Sequence, residues 1–273
     1  MKAMKGKRPT FNVQRSTLNA ATAKRRWTLS VFPMLLLTLL LAALECRAAE
    51  GSPPFDQANK LYEEGKFSAA AGAYAEIVST GNRSPAVLFN QGNAHFKAGQ
   101  IGRAIVAYRN AGVMTPRDPD LRANLEFARQ RVTGPTLRPA SLRRWTDSLT
   151  TNEWTLLAVA PVWAWFALMI AGQVRPALKP RLRNPLIISG VAALAACGAL
   201  GWVLNVRYNE HAVVVTARES VARFGPLAES QSAFTAIDGA ELLLLDAKDD
   251  WVQVSDGAKN FGWVKTNGVE RVR

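Results

Sequence analysis

WTLLAVAPVWAWFALMIAG at residues 154–172 and PLIISGVAALAACGALGWVL at residues 185–204 are two apolar runs without a charged side chain. Each is about 20 residues long, the length a helix needs to cross a hydrocarbon layer roughly 30 Å thick. Between them lies a short basic turn, RPALKPRLR at 175–183, too short to hold a domain. The stretch reads as a two-helix transmembrane hairpin that leaves the parts before and after it on the same side of a membrane. Uncharged spans argue against a transporter or a proton relay.

The same reading accounts for the charge. The 273-residue chain carries a formal net charge of +13. Residues 1–47 hold nine Lys/Arg against one Glu and the 175–183 turn holds four more cations, which leaves about +1 for all the rest. The basicity thus sits where membrane orientation is set, not on a clustered binding face, and nucleic acid is not expected as a partner. Cys46 closes the N-terminal segment and Cys197 lies inside the second run, so neither can staple a soluble domain.

Residues 1–48 have the layout of a secretory address: a basic stretch to Arg26, an apolar run over 27–44, then ECRAAE. Cleavage after Ala48 puts Cys46 and Ala48 at the two small-residue positions. An uncleaved signal anchor is the alternative, because the run can span if residues 27–30 are counted. Glu45 stands where a lipoprotein cysteine wants a small neighbour. In either case the following chain emerges on the far side, and the basic 175–183 turn agrees by remaining cytoplasmic. Arg138, Arg143 and Arg144, ahead of the first span, compete with that cue.

Residues 58–77 and 92–111 match at a fixed offset of 34: Asn59 with Asn93, Tyr62 with Phe96, Gly65 with Gly99, Ala70 with Ala104, and Tyr74 with Tyr108. The glycines suit tight turns after a first helix, the alanines a close helix crossing, and the tyrosines a hairpin core. Pro116 stops a helix, and a third unit from Pro119 supplies a single capping helix over 121–132. A 34-residue period with this pattern resembles the tetratricopeptide repeat. The resemblance implies peptide or partner-helix binding on a concave face that includes Asn59, Asn90, Asn93 and Asn124, whose amides donate and accept at once. The alternative is that they are solvated helix positions. Phe55 and Asp120 stand where the family's carboxylate clamp has basic residues, so that clamp is not expected. His95 has no Cys or second His nearby and reads as packing, not as a metal ligand.

The segment 134–153 reads as a juxtamembrane linker. Leu142, Trp145 and Leu149 either lie as a short amphipathic segment on the bilayer surface or form a plain connector. Trp145, Trp154 and Trp202 suit the interfacial belts. In the second span Ser189, Ala193, Cys197 and Gly201 recur every four residues; the first offers Ala160, Ala164, Ala167 and Ala171. Small faces of this kind let helices approach closely. They serve packing within the hairpin or, alternatively, against a partner's membrane helix.

Beyond His211 the texture turns to period two. AVVVT (212–216), ELLLLD (241–246), WVQVS (251–255) and FGWVK (261–265) read as strands, with turns at Asp238-Gly239 and Asp256-Gly257. Arg223-Phe224-Gly225-Pro226, Gly239, the strand at 242–245 and Gly262-Trp263-Val264 follow the order of the bacterial SH3-like domain, which residues 210–273 resemble. The lead-in Val221-Ala222 departs from that family. Trp251 and Trp263 fit best as core of such a small barrel, with a ligand surface as the alternative.

The expectation is a multidomain membrane protein: signal peptide or signal anchor (1–48), all-α tetratricopeptide repeats with a capping helix (53–133), linker (134–153), transmembrane helix (154–173), basic cytoplasmic turn (174–184), transmembrane helix (185–206) and small all-β SH3-like barrel (210–273). With DPDLRANLEFAR at 118–129, this order resembles the BatE-type members of the bacterial Bat (Bacteroides aerotolerance) group. The resemblance implies an inner-membrane protein with both soluble domains periplasmic. It also implies partners among von Willebrand factor A-type membrane proteins and a MoxR-like ATPase system, and a role in envelope or oxidative stress tolerance. The expected function is a non-enzymatic scaffold without a metal or other cofactor. The alternative is an envelope receptor whose SH3-like domain binds peptidoglycan or peptide. Paired nucleophile arrangements, metal-spaced clusters and phosphate-cradling glycine loops were not found in the sequence.

Overall fold

The computed structural model describes residues 53–137, 146–209, 212–258 and 260–272. The N-terminal address with Cys46, the residues Leu142 and Trp145, the arginines at 138, 143 and 144, and His211 lie outside the described residues.

Five helices come first: α1 (Pro53–Glu63), α2 (Phe67–Ser79), α3 (Pro85–Lys97), α4 (Ile101–Met114) and α5 (Pro119–Arg129). They form hairpins whose geometry recurs at 34 residues. At the α1–α2 turn, Gly65 N–H donates to Tyr62 O and Lys66 N–H to Leu61 O; at the α3–α4 turn, Gly99 donates to Phe96 and Gln100 to His95. Both glycines have positive φ, 74° and 77°, which only a residue without Cβ takes cheaply. Ala70 and Ala104 are fully buried at the crossings, and Tyr74 and Tyr108 fill the hairpin cores. A Cβ on Gly92 would lie 2.5 Å from the Tyr108 ring, so that ring occupies the space a larger residue would need. Helix α5 is capped by Asp118, whose carboxylate accepts from Asp120 and Leu121 N–H.

Two long helices follow, α6 (Thr151–Val174) and α7 (Lys179–Asn209), joined by a 3-10 turn at Pro176–Leu178. Both are long and apolar enough to cross a membrane, and only 11% of the most apolar window of each is buried. That figure rules out core helices of a soluble fold, which are mostly buried. Leu156, Ile170, Ile188 and Leu194 are among the residues left exposed.

The helix limits differ from the sequence expectation at both ends. Helix α6 begins at Thr151, inside the expected linker, because Thr150 and Glu153 form a reciprocal capping box. The expected basic turn at 174–184 is largely helical: Lys179, Arg181 and Arg183 lie on the first turns of α7, with Pro180 in the first turn, where a missing N–H costs nothing. The small-residue stripes also need correction. The less exposed positions are Trp154, Ala158, Pro161, Trp165, Leu168 and Gly172 on α6, and Leu186, Ser189, Ala193, Ala196, Leu200 and Val203 on α7. Both series alternate steps of four and three, the spacing of a left-handed helix pair. A strict four-residue stripe drifts around the cylinder, so Cys197 and Gly201 are exposed, as are Ala160, Ala164 and Ala167. Trp165 packs onto Gly190, where a Cβ would lie 3.1 Å from the indole nitrogen. At the open end, Arg207 donates to Thr151 Oγ1 at 2.7 Å and to the Leu149 carbonyl at 2.7 Å.

The chain ends in a seven-stranded antiparallel sheet: β1 (Ala212–Val215), β2 (Glu219–Arg223), β3 (Ser232–Ile237), β4 (Glu241–Lys248), β5 (Trp251–Ser255), β6 (Phe261–Lys265) and β7 (Val269–Arg271), in the order β3-β2-β6-β5-β4-β1-β7. Its core gathers Val213, Val215, Ala222, Leu242, Val252, Val254 and Val264. Strand β1 is buried along its whole length, and Val214 packs into the helical core with Leu88, Ile105, Val106 and Tyr108. Helices and sheet therefore share a hydrophobic core.

Tyr108→Phe removes the hydroxyl that donates to Asn93 while keeping the ring. It should destabilise the chain by about 1 kcal/mol, and a denaturant titration of the detergent-solubilised protein checks this.

Candidate functional site

The four asparagines lie on one hydrogen-bonded ladder. Asn59 Oδ1 accepts from Tyr74 Oη and from Asn90 Nδ2; 34 residues on, Asn93 Oδ1 accepts from Tyr108 Oη at 2.8 Å and from Asn124 Nδ2 at 3.0 Å. Burial pushes the Tyr74 hydroxyl up to about 12 and Tyr108 further, which keeps both protonated as donors. They are thus neither freely solvated nor wholly committed. Among the described residues, Asn59 Nδ2 and Asn93 Nδ2 donate to nothing, and both residues are half-buried. The hollow beside Asn59, Asn90 and Asn93 has a volume of only about 100 Å³. That is too small to enclose a drug-sized ligand, for which about 300 Å³ is usual, and suits surface contact with a backbone.

His95 packs as expected. Its Nδ1 lies 2.7 Å from Gln100 Oε1, and burial lowers its pKa. Among the described residues no cluster of His, Cys, Asp or Glu could hold a metal ion.

Trp251 and Trp263 are not core residues. Strand β5 alternates half-buried Trp251, Gln253 and Ser255 with buried Val252 and Val254, and β6 places Trp263 opposite Gln253. The core is filled by the valines, so both indoles stand on the outer face. Lys265 Nζ sits 5.8 Å from the Trp251 ring centroid, a cation–π distance. Phe261 and Val221 add exposed apolar surface to the same face.

The most constrained region was not anticipated. It is the junction of helices and sheet, built by the β3–β4 turn and the start of β4. The Asp238 carboxylate accepts from Ile101 N–H and Gly102 N–H, both at 3.0 Å, and so caps α4 from 136 residues away. Gln100, the residue at the N-cap position itself, makes no side-chain cap. Asp238 thus supplies from the sheet what α4 lacks, with its charge at the positive end of the helix. Burial raises its pKa more than these donors lower it. The approach leaves no room at Gly102, where a Cβ would lie 2.0 Å from Val215 O, nor at Gly239, where one would lie 2.4 Å from Val132 Cγ2.

Beside this cap, fully buried Glu241 is held by two arginines of different helices. Arg109 of α4 donates to Oε2 at 2.8 Å; Arg129 of α5 donates to Oε1 at 2.6 Å and Oε2 at 3.1 Å. The Glu241 N–H donates to Pro135 O, which ties the chain after α5 to the same strand. Such a cluster holds only while complete, because removing one partner strands a charge in a dry site. Arg117 and Glu153 form an ion pair between the α4–α5 loop and the base of α6, with Arg117 well exposed.

The chain matches no protein-family model, no curated protein and no solved structure.

Two outcomes follow. Glu241→Ala should destabilise the chain by about 3–5 kcal/mol and separate sheet from helices, read by calorimetry and by protease cutting between residues 130 and 150. Asp238, whose folded pKa is raised, contributes most when protonated, and that contribution is lost as pH rises through the raised value. The stability advantage of the wild type over Asp238→Asn should therefore grow as pH falls toward the ordinary carboxylate value of about 3.9, and paired chemical denaturation series check it.

Proposed function

We propose that the protein is a non-enzymatic membrane scaffold. Its helical hairpins are tetratricopeptide repeats, its sheet is an SH3-like domain, and the two act as one rigid body held at the membrane by a helical hairpin. The observation that carries this reading is the junction of Asp238 and Glu241 with α4 and α5, which fuses repeats and sheet into a single surface. The tyrosine–asparagine ladder recurring at 34 residues supports the repeat assignment. The direct packing of repeats on sheet, with two apolar helices between them in sequence, supports an even number of crossings. With the basic N-terminal address and the basic start of α7, this puts both soluble parts in the periplasm of a bacterial inner membrane. The Bat-type resemblance makes von Willebrand factor A-type membrane proteins and a MoxR-like ATPase system the proposed partners, in envelope or oxidative stress tolerance. The amide nitrogens of Asn59 and Asn93 are the groups proposed to hold an extended partner segment.

A second reading rests on the outer face of the sheet. Half-exposed Trp251 and Trp263, with Lys265, would suit stacking on a glycan or peptide, making the protein an envelope receptor for peptidoglycan. Because Glu241 needs the arginines of the helices, the test uses the whole chain. The scaffold reading expects von Willebrand factor A-type partners to co-purify in mild detergent and to be lost with Asn59→Ala/Asn93→Ala. The receptor reading expects the purified protein to be retained on isolated cell wall and released by Trp251→Ala/Trp263→Ala. Topology is tested separately: reporters active only in the cytoplasm, fused after residue 130 or 273, should be silent. Activity in either fusion overturns the periplasmic placement.

A further inference from the structure

We propose that the cleft between helices α2–α4 and the last strand of the sheet is a binding site for an acidic peptide that carries apolar side chains. The cleft has a volume of about 400 Å³, within the roughly 300–1,000 Å³ typical of ligand sites. It lies apart from the asparagine ladder and from the outer tryptophan face.

Its chemistry is set by three arginines from three separate elements: Arg83 in the α2–α3 loop, Arg103 on α4 and Arg271 on β7. Among the described residues none of the three is in an ion pair, whereas Arg109, Arg117 and Arg129 all are. Glu270 lines the same cleft, so three guanidiniums stand against one carboxylate. His95 is also there, but burial disfavours its charged form and its ring is engaged with Gln100. The floor is apolar: Leu88 and Val106 are buried and Val269 is half-buried.

Guanidinium forks match carboxylates in two parallel hydrogen bonds, and an apolar floor rewards an aliphatic side chain beside them. The pairing fits a peptide alternating acidic and aliphatic residues. It does not fit nucleic acid, because outside the membrane-flanking segments the chain carries only about +1 and offers no extended basic track. Helices form one wall and the sheet the other, so the cleft exists only because Asp238 and Glu241 dock the two.

The inference takes from the scaffold reading only that this body meets proteins. Its test uses the purified chain alone, so its failure leaves the partner-recovery and topology tests untouched. The probe is a pool of fluorescein-labelled hexapeptides alternating Glu or Asp with Leu, Ile or Val, followed by fluorescence anisotropy on the full chain in detergent. The acidic pool should bind, and the same pool with Gln or Asn in place of the acids should bind about tenfold more weakly or less. Arg103→Gln and Arg271→Gln should each raise Kd by about tenfold, with thermal melting unchanged. Arg122→Gln, which removes an exposed arginine of α5 outside the cleft, should leave Kd unaltered. Amidating the C-termini separates two sources of the same chemistry: a lost signal assigns the terminal carboxylate, a retained one the side chains. Equal binding of the acidic and amide pools, no binding of the acidic pool, or an equal loss in Arg122→Gln overturns the proposal.

Discussion

The soluble architecture depends on one buried carboxylate. Glu241 opens β4, pairs across the sheet with Val214, and meets two arginines from two helices. In water such a group would be worth little as an ion-pair partner; in a dry site it admits only the geometry that satisfies it. The position of the sheet on the helices follows. Val214 enters the helical core, Gly102 and Gly239 allow the backbones to close, and Asp238 completes the first turn of α4. The hydrophobic contact supplies the attraction, and the charges select a single docking among the many that apolar surfaces would permit.

The membrane hairpin follows a different physics. Its outward side chains are apolar, so burial from water gives no preference for one helix face over another, and shape decides. Trp165 settles on Gly190, Ala158 and Ala193 allow close approach, and the packed positions step by four and three. Polar groups appear only at the open end, where Arg207 ties α7 to the chain leading into α6.

Much of this fold could be read from the sequence, for physical reasons that differ by region. Long uncharged runs admit few structures other than spanning helices, and a 34-residue offset that aligns glycine, alanine and tyrosine leaves little freedom for a hairpin. Period two revealed the strands, but it could not say which face turned inward: in WVQVS both Trp251 and Val252 are apolar, and only the valines of β6 and β1 across the core decide it. The junction escaped because its partners lie more than 100 residues apart and its key residues look ordinary. Glu241 resembles a solvated strand start, and Asp238-Gly239 a plain turn. Two signals were present. AVVVT lacks the alternation of a one-sided strand, which fits burial on both faces, and Gln100 is a poor cap for α4, which left that helix end wanting a partner from elsewhere. The T-x-x-E box at Thr150 was also readable and would have placed the start of α6.

The cap on α4 also has a consequence in time. Ile101 and Gly102 leave the ribosome well over a hundred residues before Asp238, and both membrane helices are made in between. Until the final strands appear, α4 keeps exposed N–H groups at its first turn, Arg109 and Arg129 have no buried carboxylate to meet, and Leu88 and Ile105 lack the valine that covers them. The helical part therefore waits, incomplete, through insertion of the hairpin, and the last quarter of the chain finishes what the first half began. Truncation anywhere in the sheet leaves the hairpins as the unfinished product, open to proteases and chaperones, so the C-terminal strands report that synthesis has run to the end.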